Sequence, residues 1–187
     1  MAGVLAACAT TTGGVLSTYS YISPLLTDRA GVAPGLVPLV LVGFGVGALA
    51  GFLVGGRVSD ARPHATAILA PATATVLLLG ICLGSHWAAL TAALIVLLGL
   101  FGLGGNPGLI SMAVRFAGRA PTLASALTVA AFNFGTAVGS CIAGLALDSQ
   151  LGAVGPAAVG TAIVALTLIP ATAVAVTSGR RPAAVAT

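Results

Sequence analysis

Apolar residues in this chain come in long unbroken runs, separated by a few short polar segments. Charged residues fall only at 28–29, 57–62, 115–119, 148 and 180–181, leaving uncharged stretches at 1–27, 30–56, 63–114, 120–147 and 149–179. A helix crossing a hydrocarbon core of roughly 30 Å needs about 20 residues at a rise of about 1.5 Å each. Four of the stretches fit one such helix. The stretch 63–114 fits two, and Gly84-Ser85-His86-Trp87 divides it with two amphipathic rings suited to the headgroup region. The pattern predicts six helices over 4–26, 33–56, 65–83, 88–113, 122–147 and 154–177, forming one bundle across residues 1–187. Strands of an outer-membrane barrel alternate polar and apolar residues. Here runs such as Ala88–Leu103 are continuously apolar, so the fold class is an all-α integral membrane protein with six transmembrane helices.

Composition sharpens this reading. Of 187 residues 58% are hydrophobic and 5% charged, with neither Lys nor Glu, against about 25% charged in a soluble domain. That excludes a soluble globular domain, a disordered chain, a disulfide scaffold and a nucleic-acid binder, and makes the lipid bilayer the first partner. The net charge of +4 reports orientation. Six spans put both termini on one side, with the segments 57–63, 115–121 and 178–187. That side carries Arg57, Arg62, Arg115, Arg119, Arg180 and Arg181, while the other carries only Arg29. Basic residues collect on the cytoplasmic side, so both termini are expected in the cytoplasm of a cell with the chain in its inner (plasma) membrane.

Several features carry more than topology. In the second span Gly43, Gly47, Gly51 and Gly55 recur every four residues and line one face of a helix, as a close helix–helix contact or a moving interface requires. The segment that follows, with Gly56, Arg57, Asp60 and Arg62, reads either as a charged loop acting in conformational switching or as a basic loop with Asp60 near the start of the third helix as its cap. The first span is polar for a membrane helix. Eight of the twelve residues from Thr10 to Tyr21 carry a hydroxyl, and Ser17, Tyr19 and Tyr21 are candidates for lining a substrate cavity. Such hydroxyls also bond their own helix carbonyls, and that alternative stays open. In the fourth span Gly102, Gly104, Gly105 and Gly108 surround Asn106-Pro107. Pro lacks an N–H and clashes one turn back, so this helix is weakened there. Broken membrane helices line cavities or moving contacts, which makes Asn106 a second candidate and Asn133, beside Gly135 and Gly139 in the fifth span, a third.

The segment Gly51–Arg62, GFLVGGRVSDAR, resembles the second copy of the Gly-x-x-x-(Asp)-Arg motif of the major facilitator superfamily. TYSYISPLLTDRAG at 18–31 and AAFNFGTAVGSCIAGLALD at 130–148 are similar to the seventh and eleventh helices of its drug:proton antiporter branch, typified by bacterial sugar- and chloramphenicol-efflux proteins. The resemblance implies the C-terminal six-helix half of a secondary transporter, exporting small apolar or amphiphilic compounds by proton antiport when paired with an N-terminal half. It also departs from the family, since Ala61 stands between Asp60 and Arg62. The family's proton-coupling carboxylate belongs to the other half, and no Asp or Glu here lies in mid-span. Met1 opens directly into an apolar run, which fits a truncated or split coding region. A homodimer of two six-helix units is the other arrangement considered.

Other classes fit less well. A water channel needs two Asn-Pro-Ala half-helix motifs, and Asn106-Pro107-Gly108 has no second copy. An intramembrane enzyme needs a nucleophile and a base at membrane depth, whereas His64 and His86 fall at span ends, so no catalytic residue is expected. Cys8, Cys82 and Cys141 have no ligand-spaced partner, so neither a metal nor a cofactor is expected. A non-transporting scaffold is the remaining alternative. The arginine bias yields a direct test of orientation. A reporter active only in the cytoplasm, fused after Thr187, should give signal, and activity of a periplasm-only reporter at that position would reverse the assignment.

Overall fold

The computed structural model describes residues 1–117 and 120–179. Helices account for almost all of them: α1 (Ala2–Ser20), α2 (Val37–Ala61), α3 (Pro63–Gly84), α4 (Ala88–Gly102), α5 (Asn106–Ala117), α6 (Pro121–Leu147) and α7 (Gly155–Gly179), with no strand among the described residues. Among the described residues five segments are long and apolar enough to cross a membrane: Pro34–Ala61, Ala65–Gly84, Ala88–Ala117, Pro121–Leu147 and Gly152–Ile169. The remaining helix, α1, is the hydroxyl-rich one, and it holds the middle of the bundle. It packs mainly against α6 and α7, while α2 packs against α4, and α3 against α7 and α4. The fold is an all-α, multi-pass membrane bundle. Arg119, Arg180 and Arg181 lie outside the described residues.

Element boundaries differ from the sequence expectation where proline acts. The first helix ends at Ser20 instead of 26, because Pro24 cannot donate to the Ser20 carbonyl. A short helical turn, Ile22–Pro24, and a wide turn, Leu25–Arg29, continue from it. Gly31, with φ of 70°, then reverses the chain, and the Val32 N–H closes back on the Leu26 carbonyl at 2.8 Å. A residue with a Cβ is strained in that conformation. At the other end of α2 the helix runs on to Ala61 rather than stopping at 56. Nothing before Arg62 interrupts the ladder, and the Arg62 N–H still reaches the Val58 carbonyl at 2.8 Å. Only Pro63 stops it, by forcing Arg62 out of the helical region to φ −141° and ψ 67°. The fourth span is two helices, interrupted at Leu103-Gly104-Gly105, with Pro107 harmless in the first turn of α5.

Glycines set how closely these helices approach. A Cβ added at Gly47 would sit 2.5 Å from the Val96 carbonyl oxygen, and one at Gly43 2.8 Å from a Val96 methyl group. Cβ atoms at Gly51 and Gly55 would collide with the carbonyl oxygens of Leu100 and Gly104, and one at Gly99 with that of Phe44. The α2–α4 contact is therefore backbone against backbone. The contacts of α1 are of the same kind: an added Cβ at Gly13 would meet the Gly135 carbonyl at 2.5 Å, and one at Gly160 the Gly14 carbonyl at 2.5 Å. Gly45, by contrast, has nothing within 4 Å. Gly51→Leu should cost about 1–3 kcal/mol, as overpacking does, and lower the detergent melting temperature by several degrees. Gly45→Leu should leave it unchanged, and equal effects of the two variants would remove the α2–α4 contact from the account.

Candidate functional site

The polar residues of the first span do two different jobs. Ser17 and Thr18 are buried. The Ser17 hydroxyl donates to the Gly14 carbonyl at 2.8 Å, and Thr18 reaches the Pro156 carbonyl in the first turn of α7 at 3.4 Å. Both pack on Gly160, where an added Cβ would come within 2.5 Å of the Thr18 hydroxyl and 3.3 Å of that of Ser17. Ser17 thus belongs to the α1–α7 seam, not to an open cavity wall, because Gly160 leaves room for its side chain and nothing else. Tyr19 is half-buried. Its ring stacks on Phe44 with centroids 4.4 Å apart and planes at 27°, tying the end of α1 to α2.

At the end of α1 the polar groups remain open. The Ser20 hydroxyl donates to the Leu16 carbonyl at 2.8 Å and lies 3.1 Å from the Ser140 hydroxyl on α6. Tyr21 follows, half-buried, with its phenol oxygen against Gly144 of the same helix. Asn133 is exposed two turns earlier on α6, its amide donating to the Val129 carbonyl at 3.0 Å and its remaining donor and acceptor uncommitted. Val129 and Ala137, one turn to either side of Asn133 on α6, are exposed as well. The seam of α1 and α6 therefore presents hydroxyl, phenol and amide groups on an apolar surface.

Asn106 sits elsewhere. It opens α5 at the interruption of the fourth span and is buried, with its side-chain oxygen unpartnered. Nearby, the Ser59 side chain packs on Gly108, where an added Cβ would lie 2.5 Å from its hydroxyl oxygen, itself buried and unpartnered. Ser59 was not legible as a contact residue in the sequence, and the only signal pointing to it is its position opposite a glycine. The motif residues Gly56, Arg57 and Asp60 lie in the last two turns of α2, and Arg62 alone joins α2 to α3. Asp60 does not cap α3: the capping position is Arg62, which makes no side-chain cap bond. Arg57, Asp60 and Arg62 are all exposed. At the opposite end Arg29 donates to Ser85 at 3.3 Å and to the His86 ring at 2.9 Å, holding the loop after α1 against the α3–α4 turn. No cluster of His, Cys, Asp or Glu suited to a metal occurs among the described residues.

Buried polar atoms without partners cost stability. Thr11, 2% exposed, has an unpartnered hydroxyl. Thr11→Val keeps its shape and should hold or raise the melting temperature, by up to about 1 kcal/mol of stability. A clear loss would mean that the hydroxyl is engaged by an internal water.

No family model matches the chain. It is 32% identical over 141 residues to the uncharacterised MFS-type transporter YtbD of Bacillus subtilis, covering 73% of this chain and 36% of that one. It is 33% identical over 167 residues to a chloramphenicol resistance protein of Streptomyces lividans, covering 83% and 40%. It is 32% identical over 160 residues to a chloramphenicol efflux pump of Mycobacterium tuberculosis, covering 82% and 39%. The chain spans about two fifths of the length of these relatives. A multi-pass helical bundle of this size, similar over most of its length to such transporters, belongs to the major facilitator superfamily and corresponds to one half of a transporter of that family.

Proposed function

We propose that the chain is the C-terminal half of a secondary transporter that exports small, neutral, amphiphilic compounds, and that it works against a second six-helix unit. The open α1–α6 seam carries this reading. Ser20, Tyr21, Ser140 and Asn133 offer hydrogen bonds on an apolar surface, and no fixed charge stands at membrane depth to pair with an ion. The relatives named for chloramphenicol resistance and efflux support a phenicol-type drug as substrate, and a sugar is the other solute of matching polarity. The charged residues lie at span ends, so a carboxylate that exchanges protons in mid-membrane comes from the partner unit. An N-terminal half is the preferred partner, since a second copy of this chain would bring none. Both termini then lie on the cytoplasmic side of the inner membrane, where Arg57 and Asp60 in the last turns of α2 and Arg62 at its junction with α3 act in conformational switching.

Two measurements test the proposal. Co-expressed with an N-terminal half bearing a membrane carboxylate, the chain should lower chloramphenicol accumulation, and an uncoupler should abolish the effect. Uncoupler-sensitive export by the chain alone would overturn the need for that partner. In the paired system Asp60→Asn should reduce export while membrane abundance stays normal. Reduced abundance would instead make Asp60 a structural residue, and unchanged export would remove it from the switching mechanism.

A further inference from the structure

A deep apolar crevice lies away from the α1–α6 seam. It opens between α2, α3 and α4, encloses about 480 Å³, and is walled by Val54, Val58, Leu69, Leu100 and Phe101 over a floor at Gly55 and Gly104. Two threonines line it, and both hydroxyls are already engaged by their own helix. Thr66 donates to the Arg62 carbonyl at 3.0 Å, and Thr73 to the Leu69 carbonyl at 2.9 Å. What the crevice offers a ligand is therefore almost wholly hydrocarbon. A second crevice of about 310 Å³ shares Thr73 and Phe101 with the first and continues along α3 to Val76 and Leu77. From Thr66 to Leu77 the helix rises about 16 Å, close to half of a hydrocarbon core of roughly 30 Å. The groove thus runs the depth of one leaflet.

Its outer end is charged. Arg57 adjoins the wall residue Val58, and Arg62 lies one turn before Thr66. Both are exposed, and Asp60 between them leaves the segment with a net positive charge. We propose that this groove is a site for one anionic phospholipid, with an acyl chain laid along α3 over the Gly55–Gly104 floor and the phosphate held by Arg57 and Arg62. A drug-like substrate fits the groove poorly, since both threonine hydroxyls in its wall have spent their donors on their own helix and the rest of the wall is apolar. A basic pair beside an apolar slot suits an anionic headgroup better than a zwitterionic one. The site borders the contact of α2 with the interrupted fourth span, so an occupying lipid would brace that contact from outside. The inference is independent of the proposed transport activity.

The test uses the full chain in detergent, titrated with phosphatidylglycerol or with phosphatidylcholine of the same acyl chains, read by melting temperature and by native mass spectrometry. Phosphatidylglycerol should bind about fivefold more tightly, on the scale of one basic contact, and should raise the melting temperature more. The double variant Arg57→Gln with Arg62→Gln should bring the two lipids to equal affinity. Thr73→Trp, which fills the groove, should weaken binding of both. Equal affinity of the two lipids for the parent chain would overturn the headgroup assignment. Unchanged binding in a folded Thr73→Trp chain would overturn the groove. Should that variant fail to fold, Leu69→Trp blocks the same wall and is read in the same way. Displacement of bound phosphatidylglycerol by chloramphenicol would mark the groove as a substrate site and overturn the lipid proposal.

Discussion

Backbone contact between helices is the interaction on which the rest of this bundle depends. In a bilayer, burying an apolar side chain against another helix gains little over burying it against lipid, so association rests on van der Waals contact at short range. Gly47, Gly51 and Gly55 on α2 meet the carbonyl oxygens of Val96, Leu100 and Gly104, and Gly99 reciprocates against Phe44. Gly13 and Gly14 place α1 in the same kind of contact with α6 and α7 through Gly135 and Gly160. A methyl group at most of these positions would collide with main chain, which cannot rotate away.

The interruption of the fourth span follows from this contact. Gly104 and Gly105 lower the cost of leaving the helical ladder, and Pro107 suits the first turn of the helix that restarts after them. Because Gly104 lies against Gly55, the broken stretch is held by neighbouring backbone, the condition under which irregular backbone is tolerated at membrane depth. The same close approach leaves the buried oxygens of Asn106 and Ser59 unpartnered at this junction.

Hydroxyl groups illustrate how one residue type serves opposite ends. Threonines and serines along α1, α3 and α7 mostly donate to a carbonyl three or four residues back, which hides their polarity inside their own helix. That lets Ser17 and Thr18 act as small packing groups against Gly160, while Ser20, at the end of the same helix, reaches across to Ser140. The division within α1 lies along its length: no residue from Ala7 to Tyr19 is exposed, whereas Ser20 at its end is.

Much of this architecture was legible in the sequence. Uncharged runs of membrane-spanning length marked the spans, since a charge at depth is costly whatever surrounds it. The four-residue glycine spacing in α2 and the Gly-Pro cluster at 101–109 marked a narrow helix face and a weak point, because periodicity and a missing N–H are local properties. Boundaries decided by proline alone, as at Ser20 and Ala61, were read less well: a polar residue does not end a helix unless something also blocks the ladder. Which hydroxyls faced inward could not be read at all. Ser17, Tyr19 and Tyr21 look alike in a list of polar residues, yet Gly160, Phe44 and Gly144, each more than twenty residues away in sequence, place them in a seam, in a stack and at an open edge. Local pattern alone thus specifies a bundle of membrane helices with a glycine-lined face and one weak span. Which polar groups the helix contacts consume, and which they leave free, follows from packing, because that depends on the rotation of each helix against partners distant along the chain.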